Sequence, residues 1–529
     1  MTRQIRPEDA HSIAPDIVAA GEPASLPAKD DAERRLLASA AFARGPQGAA
    51  ALPPIDHAAI HTIIAGIMLA MFLSALEQTI VAPALPAIGK SLANLDDLSW
   101  IVTAYLLAAT AATPLFGKLT DIHGRRTIML LAIGIFILGS LACALAPTMW
   151  ILIIGRGLQG VGGGGLIPIA QTIIADLLTP RERPMAQSYT SVVFLSASVL
   201  GPVLGGLLTD HLHWSFIFWI NLPLGAMALV MTGRALRRLP RHDRPHKLDI
   251  PGVTLMVAAA VALLLALDWG GTHHPWISWQ IGALLAGSAA LWALFAARLL
   301  TAREPFIPLT ILRGRATSMI TCAAFFAIGT IMGVTIFAPL YCQMVLGASA
   351  SLSGLALIAF LAGATIGALL MGRLIVRLTH YMRVPIVGLL VAIATFAALA
   401  VETSELSFLS FTALLGLLGI AIGPMYPAST IVMQNAVKPH QLGTATGALN
   451  FFRLLGGAIV VAVFGAIVLG SVGGVMTLEK LQSAHAEFAP AFRLVFITGA
   501  AFLAIALACV MAVEELPLHG PVRLAEPGA

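Results

Sequence analysis

The chain has 529 residues, 58% of them apolar and only 11% charged. An ordinary soluble domain carries about 25% charged residues, and the mean hydropathy is +0.89, so a soluble globular protein is excluded and a membrane protein is indicated. The net charge of +5 is no nucleic-acid footprint, because the basic residues sit between hydrophobic runs and form no face of their own.

Residues 1–57 are rich in charge, Pro and Ala and contain no apolar stretch of signal-peptide type, so they read as a disordered cytoplasmic tail. Apolar runs long enough to cross a bilayer as helices then follow. Six fall at 59–85, 97–118, 127–145, 148–175, 186–209 and 214–235, and two more at 251–269 and 276–298. A final six fall at 317–340, 351–373, 383–401, 406–432, 442–470 and 490–513. Residues 516–529 read as a second tail. With the N-terminus inside, 26 Lys and Arg lie on the cytoplasmic side and 3 on the other, while Arg156 and Arg453 lie within spans. That asymmetry puts both termini in the cytoplasm and requires an even number of spans.

The run GKLTDIHGRR, Gly117 to Arg126, follows the second span. GRLIVRLTHY, Gly372 to Tyr381, follows the tenth, with Val376 where Asp121 would stand. This echo indicates two homologous halves. The division is a six-helix bundle at 58–236, a connector with an inserted helix pair at 237–310, and a second six-helix bundle at 311–515. Cys143, Cys322, Cys342 and Cys509 fall in apolar runs without a CxxC pair and read as packing residues. His211, His213, His273 and His274 read as solvated loop residues rather than metal ligands. No HExxH, GxSxG or P-loop is present, which argues against an enzyme or an ATP-driven pump.

Glu77 is the most informative residue. A carboxylate within a span is costly and faces a bundle interior or a water-filled cavity, where it can carry protons or meet a cationic substrate. Arg156 falls at the same expected depth in the fourth span, so it can act on Glu77 directly or through Gln159. Gly160 and Gly162 to Gly165 permit close packing or a flexible helix segment. Gly201, Pro202, Gly205 and Gly206 offer no chemistry of their own but allow a tight helix contact. In the opening motif, Lys118, Arg125 and Arg126 hold that end inside, whereas Asp121 has the wrong sign for topology and needs another role. Arg453 lies one turn after Asn450 near the inner end of its span and can snorkel to the surface. An adaptable substrate surface would draw on Tyr105, Gln171, Phe194, Asn221, Phe325, Phe326, Tyr341, Gln343, Met425, Tyr426 and Gln434.

Five stretches resemble the major facilitator superfamily. Gly117 to Arg126 looks like its motif between the second and third helices, and GRGLQGVGGG, Gly155 to Gly164, like its fourth-helix motif. GPVLGG, Gly201 to Gly206, is similar to the fifth-helix motif of exporters. LEQTIVAPALP, Leu76 to Pro86, and WSFIFWINLPLG, Trp214 to Gly225, resemble the fourteen-helix drug:proton antiporter branch of EmrB/QacA type, with Glu77 where Asp is common. The resemblance spans about residues 59 to 513. It implies an all-α polytopic fold and proton-driven export of amphipathic compounds by alternating access, with no cofactor beyond the proton gradient. Glu77, Arg156 and Gln159 would couple protons. Gly117, Asp121, Gly124, Arg125 and Arg126 would form a conformational switch, with Asp121 meeting a basic residue or a helix N-terminus. The implied setting is a bacterial inner membrane, with the lipid bilayer, protons and a small amphipathic molecule as partners, and a periplasmic adaptor as a further one. A dedicated exporter or symporter of one metabolite, and a non-transporting sensor or scaffold, stand as alternatives.

Overall fold

A computed structural model describes residues 57–515 apart from short stretches at 93–96, 180–181, 237–247, 272, 303–304, 376, 379, 404–405 and 472–484. Both tails expected from the sequence lie outside the described residues, except that His57 already opens the first helix.

Among the described residues, fourteen helical spans are long and apolar enough to cross a membrane. The first six are α1 (Thr62–Ser91), α2 (Trp100–His123), α3 (Arg125–Ala144), α4 (Met149–Leu177), α5 (Arg183–His211) and α6 (Phe216–Arg234). Then come α7 (Ile250–Trp269), α8 (Trp279–Thr301), α9 (Arg315–Met344), α10 (Ser351–Leu374) and α11 (Arg383–Val401). The last three are α12 (Phe408–Ala436), α13 (Pro439–Val468) and α14 (Phe488–Met511). Helix is what an apolar environment imposes, since a span must satisfy its own backbone groups; α12 is interrupted once, between Ile422 and Met425. No β-sheet forms among the described residues.

The helices divide into two bundles that repeat one packing scheme. In the first, α4 packs against α2 and α3, and α1 against α5 and α6; in the second, α12 packs against α10 and α11, and α9 against α13. The bundles meet through α2 on α13 and α5 on α10, which exchange when the halves are interchanged. That is the two-fold relation signalled by the repeated Gly-basic-Leu triplet. The inserted α7 and α8 lie side by side, with Ser288 Oγ donating to the Ala259 carbonyl at 2.8 Å, and α7 rests on α2 and α13.

Two boundaries differ from the sequence reading by five residues or more. First, α1 runs past residue 85 to Ser91 through a 3-10 turn at Ala82–Ala84. Pro83 and Pro86 stand at first-turn positions, where a missing N–H is tolerated. Second, Gly117 to Arg126 is not a loop. Its first seven residues complete α2, Gly124 alone breaks the helix at φ +83°, and Arg125 starts α3. Polar composition suggested an end near residue 118, but tertiary packing carries the helix on. Gly117 lies so close to Gly443 and Gly447 of α13 that a Cβ would strike their backbone.

Candidate functional site

Two polar constellations lie inside this apolar scaffold. The first is enclosed by the first bundle. Glu77 of α1 is fully buried, and Arg156 of α4 is 1% exposed. They form an ion pair through Arg156 Nη1 and Glu77 Oε1. Arg156 Nη1 also donates to Gln159 Oε1 at 2.7 Å, and its Nε to the Ile101 carbonyl at 2.9 Å. The guanidinium lies over the Tyr105 ring, 4.5 Å from its centroid. Asn221 of α6 donates from Nδ2 to the other carboxylate oxygen, Oε2, at 2.5 Å. Ser140 of α3 ties the ring together by accepting from Gln159 Nε2 at 2.8 Å.

Such a cluster must be closed on itself, because a buried charge without a partner is strongly destabilising. It is seated by glycines. A Cβ at Gly160 would strike the Tyr105 backbone, one at Gly162 the Phe136 backbone, and one at Gly164 the Ala109 backbone. The run in α4 therefore serves close packing, and α4 is an unbroken helix through it. Gly201 and Gly205 do the same on α5: a Cβ would meet Thr79 at the first and the Ile80 carbonyl at the second, just beyond Glu77 on α1. Gly206 has nothing within 4 Å, and Pro202 is exposed, so neither belongs to this seam.

Asp121 is the second landmark. It sits at the Lys/Arg-rich end, where it joins the two bundles. Its Oδ1 accepts from the Gly443 N–H at 3.0 Å, and its Oδ2 from the Thr444 N–H and hydroxyl, each at 2.7 Å. Those amides belong to the first turn of α13, whose orphan donors and positive dipole end favour an anion. Arg125 pairs with Asp121 at 2.6 Å and with Asp176 at 2.8 Å. Asp121 therefore meets both a basic residue and a helix N-terminus. Arg126 binds the Gly233 carbonyl at 3.2 Å. The sequence reading missed Asp176, whose signal was an acidic residue at the end of an otherwise apolar span.

The residues expected at a substrate surface scatter. Asn221 and Tyr105 belong to the Glu77 cluster. Tyr341 lies within the second bundle, donating to the Thr403 carbonyl at 2.7 Å with its ring 4.5 Å from that of Phe411. Met425 is fully buried there, Phe325 and Phe326 pack on each other at 5.1 Å, and exposed Gln343 reaches Ser353 at 3.1 Å. Only Gln171, Phe194, Tyr426 and Gln434 meet, at the seam between the bundles. Gln171 donates to the Tyr426 hydroxyl at 3.3 Å and accepts from Asn450 at 2.7 Å, and Gln434 donates to the Gln171 carbonyl at 3.1 Å. The Phe194 and Tyr426 rings meet edge-on at 6.1 Å. Arg453 does not snorkel. It is 2% exposed and is held at this seam by Ser429, Thr430 and the Tyr426 carbonyl, which satisfy its guanidinium inside the protein.

Comparison with known proteins agrees with this architecture. The family model described as Major Facilitator Superfamily matches residues 67–461. The chain is 33% identical over 461 residues to the multidrug transporter protein MdtP of Bacillus subtilis, covering 86% of this chain and 85% of that one. It is 32% identical over 405 residues to multidrug resistance protein 3 of the same organism, covering 77% and 79%. Among solved structures, the human organic anion transporter MFSD10 superposes with a TM-score of 0.61 at 17% identity, over 87% of this chain and 100% of that one. Five motifs in order, two bundles related by a two-fold and a family match across most of the spans converge: the chain belongs to the major facilitator superfamily of membrane transporters.

Proposed function

We propose that this chain is a multidrug-type efflux transporter that exchanges amphipathic organic compounds for protons by alternating access. The observation that carries the reading is the buried Glu77, held on one oxygen by Arg156 and on the other by Asn221. In water the cluster would be an ordinary ion pair. Inside a bundle its desolvation and its ion pairing oppose each other, so a modest change in surroundings shifts the proton balance. Asn221 Oδ1 has no hydrogen-bond partner. With the amide turned over it can accept from a protonated Glu77, so the same residues satisfy both protonation states. Release of the Glu77 charge would leave Arg156 on Ile101, Gln159 and the Tyr105 ring, loosening α1 from α4.

The coupling from site to movement runs through α1 and α5. Gly201 and Gly205 seat α5 on the turn after Glu77, and the opposite end of α5 packs on α10 of the second bundle, where Ser188 donates to the Ala368 carbonyl at 2.7 Å. The hydrogen bonds described between the bundles lie toward the Lys/Arg-rich end, from Asp121 with Gly443 and Thr444 to Gln171 with Asn450. By the positive-inside rule that end is cytoplasmic, so the closed gate faces the cytoplasm and the arrangement suits an outward-opening state. The names of the relatives, multidrug transporter and multidrug resistance protein, support export as the direction. The gradient across a bacterial inner membrane supplies the driving force, and any periplasmic adaptor would engage the outer end.

Everted vesicles with an imposed pH gradient test this. The parent accumulates amphipathic dyes, whereas Glu77→Gln, at equal membrane abundance, accumulates none above background yet still exchanges dye in counterflow without a gradient. Gradient-driven accumulation by Glu77→Gln for every dye overturns the coupling role.

A further inference from the structure

The two buried arginines among the described residues differ in one respect. Arg156 is neutralised by Glu77. Arg453 is equally buried, yet its partners are all neutral. Nη2 donates to the Tyr426 carbonyl at 2.9 Å, Ser429 Oγ at 2.7 Å and Thr430 Oγ1 at 2.8 Å, and Nη1 donates to Asn450 Oδ1 at 3.2 Å. The guanidinium stands 4.3 Å from the centroid of the Tyr426 ring. Its Nε has no partner at all. No carboxylate forms an ion pair with it among the described residues.

A guanidinium kept from water without a counter-charge is expensive, and dipoles and a ring face offset only part of that. A position needing only volume is filled more cheaply by Leu or Met. Arg453 also lies deep: it stands eleven residues from Leu442, where the main helix of α13 begins, about 16 Å along the axis. Two residues that flank it, Asn450 and Tyr426, bond the Gln171 side chain of the first bundle. Separation of the bundles at the Lys/Arg-rich end breaks those cross-bonds. It frees the Asn450 amide and the Tyr426 hydroxyl together, and it opens the uncompensated cation to the gap. Phe194, edge-on to Tyr426, supplies an apolar wall beside them.

We propose that Arg453 is an anion receptor on the transport path, and that the compounds carried include amphiphiles bearing a carboxylate or a similar single negative group. The anionic group docks on the guanidinium when the bundles part, Asn450 and the Tyr426 hydroxyl complete its hydrogen bonds, and Phe194 and Tyr426 flank the apolar body. This deepens the efflux reading by naming a substrate class, and it rests on that reading only for the direction of movement.

The test uses the full chain in nanodiscs and three probes with one fluorophore: pyrenebutyrate, pyrenebutanol and a pyrenebutyl-trimethylammonium salt. Binding is measured by fluorescence against empty nanodiscs. The parent binds the carboxylate about tenfold more tightly than the alcohol, the size expected of one charge-assisted contact. Arg453→Gln erases that preference and leaves the alcohol and the ammonium within about twofold of the parent, while Arg453→Lys, which keeps the charge, retains part of it. Equal weakening of all three probes in Arg453→Gln, with Arg453→Lys no better, would make the residue a structural clamp and overturn the proposal. So would a parent without preference for the carboxylate. Everted vesicles separate the two readings. Arg453-dependent binding of the carboxylate with no gradient-driven accumulation of any probe sinks the efflux reading and leaves the receptor standing. Accumulation of the ammonium probe with no carboxylate preference does the reverse.

Discussion

At the scale of single residues, the Glu77 cluster makes sharp demands. Arg156 balances Glu77 and is itself fixed by Ile101, Gln159 and Tyr105. Removing one member of a buried pair leaves the other uncompensated, a loss of about 3–5 kcal/mol unless the site takes up or sheds a proton. Arg156→Ala is therefore expected to change the pH profile of substrate-induced proton release, measured in detergent with a pH dye. An unchanged profile would remove Arg156 from the coupling. Asn221→Ala takes away the donor to Glu77 Oε2, a loss of about 1–3 kcal/mol for a buried charged group left short of a partner. Its expected signature is altered proton release at near-normal abundance, and an effect on abundance alone would mean that Asn221 only holds the fold. Glu77, Arg156 and Gln159 were legible in the sequence because ionisable and amide groups stand out in apolar runs. The place of Asn221 was not, since one amide in a span looks the same whether it faces a carboxylate or a ligand.

At the scale of elements, the contact between α1 and α5 separates glycines that a motif treats alike. Gly205 faces the Ile80 carbonyl with no room for a Cβ, whereas Gly206 faces open space. Gly205→Val forces the helices apart, with an expected loss of about 1–3 kcal/mol. It should lower the melting midpoint in detergent and abolish transport, while Gly206→Ala stays within about 0.5 kcal/mol of the parent. Equal behaviour of the two would show that the seam is not set by Gly205. Gly124 makes the corresponding demand on the backbone. Its φ of +83° with ψ of 150° lets one residue turn α2 into α3, and Gly124→Ala is expected to cost about 1–3 kcal/mol. The sequence placed the motif correctly between its helices but not in its true form. Its first seven residues extend α2 because α13 packs on them, and local polarity carries no record of that contact.

At the scale of the whole molecule, Asp121 is a small group with a long reach. Its carboxylate joins the end of α2 to the first turn of α13 across the divide between the bundles. Hydrogen bonds to a charged group contribute about 1.5–3 kcal/mol each, and 1.4 kcal/mol is about a tenfold change in a two-state population. Asp121→Asn keeps the shape and removes the charge, so the Lys/Arg-rich end should open more often. A cysteine introduced at Thr120, which is buried and faces Gly443 of α13 across the divide, is expected to react with a water-soluble maleimide at least about fivefold faster in Asp121→Asn. Equal rates, with full transport, would discard the latch.

The sequence by itself determined the fourteen spans, the acid and the arginines that stand inside them, and the family. These follow from hydropathy, the Lys/Arg asymmetry and local motifs, all of which are written along the chain. Only the tertiary structure decided which polar groups face one another: Asn221 on Glu77, Asp176 on Arg125, and Arg453 held inside rather than at the surface. The reason is geometric. A helix repeats every 3.6 residues and can turn any face toward a neighbour, so the partner of a buried side chain is fixed by how distant spans pack, which no short stretch of the chain records.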